Sequence, residues 1–238
     1  MVRVFCDFDG TVASVDVGNR IFRHFAGEES ERIVEGYLLG QKSAIECLTQ
    51  ECAAAGDVTP KVLEEFVAQF GVDPYFPEFV RFCDKQRMPL TILSDGLDFY
   101  VSRILARHGL AHVAWFANHL EFKNEGSRST MVPVFPYTDS ECPQCGNCKR
   151  NHMLTMSADE DIIVYIGDGI SDRCPVRYAD IVFAKKGLLK FCQEQNITYH
   201  EFRTFHDVQE RFHEILHGPR LRKRREAEMA RRDVFMQG

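Results

Sequence analysis

Two rhythms of apolar and polar positions alternate along the chain. Short apolar runs at VRVFCDF (2–8), LTILS (90–94), VAWFAN (113–118), IIVYIGD (162–168), DIVFA (180–184) and TYHEFR (198–203) predict strands. The first five are nearly continuous in apolar character, as expected of parallel strands covered on both faces. Between them lie segments with helical periodicity: FYVSRILARHGL after the second run, KRNHMLTMSA before IIVYIGD and DRCPVRYA after it. Strand–helix–strand repetition of this kind predicts an α/β fold with a parallel sheet.

One stretch breaks the rhythm. From Val12 to about Asp73 no strand pattern occurs, only VGNRIFRHFAG, EESERIVEGYLLG, SAIECLTQECAAAG and TPKVLEEFVAQFG, which predict four short helices with Ser43 and Thr59 as N-caps. That much helix exceeds an ordinary crossover, so the expected organisation is a core of residues 1–12 and 74–217 with a helical insert at 13–73. The insert is expected beside the carboxyl ends of the strands, where α/β sheets bind ligands. Residues 119–141 are polar around KNEGSRS and predict a hairpin or flap, and residues 218–238 form a basic tail or helix after a Gly218-Pro219 break.

Composition narrows the classes. With 238 residues, 45% hydrophobic and 27% charged, the chain has the profile of a soluble globular protein. No run approaches the ~18 apolar residues of a membrane helix, and the N-terminus carries no secretory pattern. Nine cysteines, odd in number and scattered, point to reduced thiols and a cytoplasmic location. The net charge of −6 conceals an asymmetry, because residues 218–238 hold seven Lys/Arg against three acids. The body is therefore acidic, and no nucleic-acid or membrane partner is expected, only a small-molecule ligand and a monomer or homodimer.

The chemistry gathers at strand ends. Asp7 and Asp9, in DFDGT, stand where the first strand runs out, and two carboxylates so close repel unless they share a cation or a proton. Oxygen ligands of this kind suit Mg2+, and a carboxylate can also act as a nucleophile; the plainer alternative is a pair of turn or capping aspartates. Ser94, Asp95 and Gly96 follow the LTIL run, where a hydroxyl and backbone N–H groups form an anion site or, more simply, an Asp-Gly turn. Lys149 opens a helical segment and can neutralise a phosphate and its attacker, although an isolated lysine is usually solvated. Gly167-Asp168-Gly169 and Ser171-Asp172 close the IIVYIGD strand, offering Asp168 as a further metal ligand and Asp172 as a residue that orients its neighbours.

With these four segments in order, the chain resembles the haloacid dehalogenase superfamily, in the branch that includes phosphoserine phosphatase, over about residues 1–215. The resemblance implies a Rossmann-like core with an inserted helical cap of the C1 type. It implies Asp7 as nucleophile and Asp9 as general acid. Mg2+ would lie on the Asp7 side chain, the Asp9 backbone carbonyl and Asp168, and the phosphoryl group on Ser94, the 95–96 backbone and Lys149. A general acid must carry its proton near neutrality, so the two carboxyls need separated pKa values. Phosphoserine phosphatases show a Ser, a Glu and a Gly where this chain has Gly10, Asp16 and Asp95. In DFDGT, Asp16, Asp98-Phe99-Tyr100 and the CPQCGNCK run, the chain is closer to the methionine-salvage phosphatases acting on 2-hydroxy-3-keto-5-methylthiopentenyl-1-phosphate.

The remaining features stay open. Cys142, Cys145 and Cys148, with Pro143 and Gly146 between them, fit either a soft-metal site completed by His152 or Cys174, or a turn of thiols that positions Lys149. Asp16, Asn19, Arg20 and Arg23 share one helix face, which fits either substrate contact or solvation. A magnesium-dependent phosphomonoester hydrolase with an aspartyl-phosphate intermediate is the expected function. Phosphoserine or another small metabolite is the alternative substrate, and a phosphotransferase or mutase and a non-catalytic binding protein are alternative classes.

Overall fold

The computed structural model describes residues 1–142, 144–218 and 221–237, apart from the side chains of Phe235 and Gln237, so Pro143 and Pro219 lie outside the described residues. In chain order the elements are β1 (Val2–Cys6), α1 (Val17–Ala26), α2 (Glu28–Leu38), α3 (Ala44–Ala54), α4 (Pro60–Val67) and α5 (Phe76–Lys85). β2 (Leu90–Leu97), α6 (Asp98–Arg107), β3 (Ala114–Glu125), β4 (Arg128–Val134), α7 (Lys149–Thr155) and β5 (Ile162–Gly167) follow. The chain closes with β6 (Ile181–Ala184), α8 (Lys186–Glu194), β7 (His200–Glu201), α9 (Phe205–His217) and α10 (Arg225–Gln237). The strands run in the order β4-β3-β2-β1-β5-β6-β7, a mostly parallel seven-stranded sheet with helices, as the apolar runs predicted. Among the described residues no helix is long and apolar enough to cross a membrane.

The chain divides into two compact units: residues 1–7, 73–93 and 149–238 form the first, residues 8–72 and 94–148 the second. The expected insert at 13–73 falls in the second unit except for its last residue.

In the first unit the parallel register sets Cys6 beside Ile92 on one side and Ile166 on the other, and Phe183 beside His200 further out. Val4, Phe5 and Cys6 are buried, as are Ile163 to Ile166, which explains why these strands read as unbroken apolar runs. A ring cluster closes one face. Phe76 and Phe79 of α5 meet Phe205 of α9 with centroids 4.7 and 5.1 Å away, and Phe212 stacks on Phe183 of β6 at 5.9 Å.

In the second unit the sequence places its caps correctly. Ser43 forms a reciprocal capping box with Glu46 at the start of α3, and the Thr59 hydroxyl accepts from the Val62 N–H at the start of α4. Asp16 caps α1 by accepting from the Asn19 N–H at 2.8 Å. The strand expected at 113–118 is longer, because β3 continues to Glu125 and pairs antiparallel with β4, Phe122 opposite Met131. Gly126, with φ of +63°, turns the hairpin within the polar stretch expected to form one. Two other runs change length: β2 extends beyond the expected 90–94 to Leu97 and so takes in Asp95 and Gly96, whereas the run at 198–203 shrinks to the two residues of β7.

Phe205 is fully buried between two rings of α5. Phe205→Ala should destabilise the protein by about 3–5 kcal/mol, read as a fall in urea midpoint at unchanged m-value.

Candidate active site

Three carboxylates of the first unit, Asp7, Asp168 and Asp172, offer oxygens that lie within 4.8 Å of one another. Asp7 follows directly on β1, its N–H bonded to the Ile166 carbonyl at 2.9 Å. Asp168 follows directly on β5, and Asp172 comes four residues later. Lys149, the first residue of α7, is buried and directs its ammonium at this group. It donates to Asp7 Oδ1 at 2.6 Å, to Asp172 Oδ1 at 2.7 Å and to Ser171 Oγ at 3.0 Å, using all three of its N–H bonds. Burial opposes its charge, but Asp172 and Asp7 outweigh burial and hold its pKa well above the ordinary lysine value.

Hydrogen bonding separates the roles of the three acids. Asp172 is saturated: Oδ1 takes Lys149 and the Tyr165 hydroxyl at 2.6 Å, and Oδ2 takes the backbone N–H groups of Asp168 and Gly169 at 2.9 and 3.0 Å. It thus shapes the turn and holds the lysine. Gly167 is required there, because a Cβ would stand 2.4 Å from Asp172 Oδ2. Asp168 lies beside the Lys186 ammonium at 2.7 Å, and burial followed by the nearby Asp172 charge raises its pKa. Asp7 and Asp168 are an all-oxygen, like-charged donor pair, which a hard divalent cation fits.

The second unit contains a different kind of carboxyl. Asp9 Oδ1 accepts from the N–H groups of Val17 and Gly18 at 2.9 and 3.2 Å, at the start of α1. Its Oδ2 accepts from the Tyr100 hydroxyl at 2.7 Å and from Ser94 Oγ at 3.3 Å. Burial first, and then repulsion from Asp16, push its pKa from 3.8 to about 7 against the lowering effect of these hydrogen bonds. Ser94 is buried, and its Oγ also accepts from the Gly96 N–H at 3.0 Å. The Asp95 side chain accepts from the Asn147 N–H at 2.9 Å, while its carbonyl accepts from Asn118 Nδ2 at 2.7 Å. Asn147 Nδ2 reaches the carbonyls of Ser94 and Phe116 at 2.8 and 3.1 Å, so two buried amides clamp the Ser94-Asp95 turn.

A model of the family described as Putative Phosphatase matches residues 2–215. The chain belongs to this phosphatase family. A 2-hydroxy-3-keto-5-methylthiopentenyl-1-phosphate phosphatase of Bacillus cereus (strain ATCC 10987 / NRS 248) is 31% identical over 223 residues, spanning 90% of this phosphatase and 97% of its relative. The protein of the same name from Bacillus thuringiensis (strain Al Hakam) matches to the same extent. Among solved structures, a phospho-aspartyl intermediate analogue of phosphoserine phosphatase superposes with a TM-score of 0.67 at 18% identity, covering 89% of this chain and 99% of that one. A haloacid dehalogenase family hydrolase from Salmonella enterica serovar Typhi gives 0.65 at 17%, covering 84% and 66%. The phosphatase therefore has the haloacid dehalogenase fold and is a phosphomonoester hydrolase.

Sequence reasoning singled out Asp7, Lys149, Asp168 and Asp172, which the phosphatase gathers in the first unit, and Asp9 and Ser94, which it gathers in the second. It missed Asn118, Asn147, Tyr100 and Tyr165 as working parts. The CPQCGNCK run contains Asn147, but its cysteines stand out first, as a soft-metal site or as a turn that positions Lys149. Among the described residues Cys142, Cys145 and Cys148 do not gather into a metal-holding group. Gly146 instead packs so closely on Asn118 and Phe135 that a Cβ would stand 3.0 and 2.7 Å from them. Of the helix-face residues, Asp16 caps α1 and acts electrostatically on Asp9, Asn19 is half-buried, Arg20 is exposed, and Arg23 pairs with Glu31.

In magnesium-free protein, the Asp9 carboxyl carbon should titrate near pH 7 by NMR, with the carboxyl protonated below that value. Asp16→Asn removes a like charge and should move the midpoint downward; an Asp9 midpoint near 4 would contradict this electrostatic picture.

Proposed function

We propose that this phosphatase hydrolyses a small phosphate monoester through an aspartyl-phosphate on Asp7, with Asp9 as the acid–base group. The observation that carries the reading is the contrast between the two carboxyls. Asp7 is bonded to a buried ammonium, whereas Asp9 is held among hydrogen-bond partners with a pKa near 7. Such a division gives one anionic attacker and one proton carrier from a single strand end. Only Phe8 separates Asp7 from Asp9, so chain geometry alone keeps their Cα atoms within about 7 Å.

In the first step an Asp7 carboxylate oxygen forms a bond to phosphorus as the ester P–O bond breaks, and the Asp9 proton passes to the leaving oxygen. Asp9, now anionic, then takes a proton from water as that water attacks phosphorus and releases Asp7 and phosphate. Lys149 neutralises negative charge beside the attacker and, with Asp172, fixes its orientation. Ser94 and the 95–96 backbone lie on the turn that the resemblance assigns to the phosphoryl group. In the present arrangement the Gly96 N–H is engaged by Ser94 Oγ. Asp7 and Asp168, with the Asp9 carbonyl, would hold Mg2+, which when bound would offset charge on the phosphoryl oxygens.

For the substrate, we infer the enol-phosphate named for the Bacillus relatives, 2-hydroxy-3-keto-5-methylthiopentenyl-1-phosphate. Those relatives align along nearly their whole length. Asp16 also occupies the position where phosphoserine phosphatases carry a glutamate, and its carboxylate is committed to capping α1. On this reading the enzyme acts in methionine salvage, and we infer a cytoplasmic location for it.

Asp7→Asn should lower kcat with p-nitrophenyl phosphate by about a thousandfold or more, equivalent to ~4 kcal/mol, and EDTA should abolish turnover until Mg2+ is restored. Activity surviving Asp7→Asn would refute the nucleophile. A panel containing the enol-phosphate and phosphoserine should give the higher kcat/KM for the enol-phosphate, and the reverse order would overturn the substrate.

A further inference from the structure

The two oxygens of Asp9 are not equivalent. Oδ1 receives two backbone N–H groups, from Val17 and Gly18, and these leave it no room for a proton. A neutral Asp9 must therefore carry its proton on Oδ2. That atom meets two hydroxyls, Tyr100 at 2.7 Å and Ser94 at 3.3 Å, each of which can turn to donate or accept. Ser94 is the longer contact and is already engaged by the Gly96 N–H. The short, buried partner of the proton-bearing oxygen is Tyr100.

Space around that contact is as specific as the bond. The Tyr100 ring comes from α6, tilted against Phe8 with centroids 5.9 Å apart, and its hydroxyl crosses directly over Gly96. A Cβ on Gly96 would overlap the Tyr100 hydroxyl, stand 2.7 Å from Cζ and lie 2.9 Å from Asp9 Oδ2. Gly18, on the other side, leaves only 3.3 Å between a Cβ and the same hydroxyl. Gly96 has no positive φ, so backbone conformation does not demand glycine there. The demand is steric, and it comes from the hydroxyl of Tyr100 on its way to Asp9.

We propose that Tyr100 is the positioning residue for the acid–base carboxyl, fixing Asp9 Oδ2 as the oxygen that delivers and recovers the proton, and that Gly96 is glycine to admit it. The proposal deepens the reading of Asp9 as general acid and rests on it. Tyr100 passes no proton to substrate; it sets the direction in which Oδ2 faces. A Phe at 100 keeps the ring and its packing but leaves Oδ2 with only the longer Ser94 contact to fix its direction.

The test uses leaving-group dependence. A general acid matters when the leaving oxygen is strongly basic, as in ethyl phosphate, and little when it is p-nitrophenolate. The ratio kcat/KM reports steps up to release of the alcohol, so later hydrolysis of the intermediate does not enter. Tyr100→Phe should lose at least tenfold in kcat/KM for ethyl phosphate and stay within about threefold of wild type for p-nitrophenyl phosphate. An equal loss on both substrates, or on neither, would overturn the positioning role. Asp9→Asn is the control for the underlying reading: if it shows no leaving-group dependence, Asp9 is not the acid. If Asp9→Asn shows the dependence and Tyr100→Phe does not, only the role of Tyr100 fails. Gly96→Ala should be strongly impaired in wild type and cost markedly less in a Tyr100→Leu background, where hydroxyl and ring end are gone; equal penalties would refute the steric pairing.

Discussion

A single ammonium without access to water organises the chemistry of the first unit. Lys149 loses its hydration on folding, and only three converging acceptors make that tolerable: two carboxylates and a hydroxyl. Removing one partner of such a buried pair generally costs about 3–5 kcal/mol, because the remaining charge is stranded. Several features follow from meeting this requirement. Asp172 must sit where both oxygens are filled, Tyr165 must supply a hydroxyl from within a buried strand, and Gly167 must lack a side chain. The lysine, in turn, gives Asp7 one orientation rather than several.

The second unit solves a related problem by the opposite means. Among the described residues, no cationic side chain pairs with Asp9. Neutral donors surround it, burial and Asp16 press against its ionisation, and it can therefore hold a proton near neutral pH. Two carboxyls with one residue between them thus acquire different chemistry from their surroundings alone, a separation that general acid–base catalysis needs. The buried amides of Asn118 and Asn147 serve the turn next to it, replacing solvent around backbone carbonyls that would otherwise be buried without partners.

Much of the fold was legible because its signal is local. Unbroken apolar runs marked the parallel strands, and Ser43 and Thr59 marked helix starts through capping chemistry confined to the first turn, which the structure completes with Glu46 and Pro60. The hairpin was legible in the polar stretch 119–141, but its continuity with the strand at 113–118 was not, since LEFKNE is polar on its open face and draws its order from pairing with β4. The acidic and basic members of the site were visible for a similar reason: Asp7 and Asp168 stand at the ends of apolar strands, and charge there is conspicuous. Tyr100, Asn118 and Asn147 were not visible as members of the candidate site. Each is an ordinary residue in composition and acquires its role through a partner 23 to 91 positions away. Cysteines at regular spacing in CPQCGNCK fit a soft-metal site or a turn of thiols that positions Lys149, whereas the contacts observed in the run come from its asparagine and glycine.

The bond from Lys149 to Asp7 closes a loop of 142 residues, and that from Asn147 to Ser94 one of 53. Contacts of such long sequence separation form after the local ones, because loop closure must precede any gain from them. During synthesis from the N-terminus, the residues of β1 and of α1 to α4 are all added before Lys149, so the bond between Asp7 and Lys149 cannot form until the chain reaches α7. The Lys149–Asp7 pair is thus among the later contacts to assemble, and a chain that stops short of α7 would lack the ammonium around which Asp7 and Asp172 are arranged.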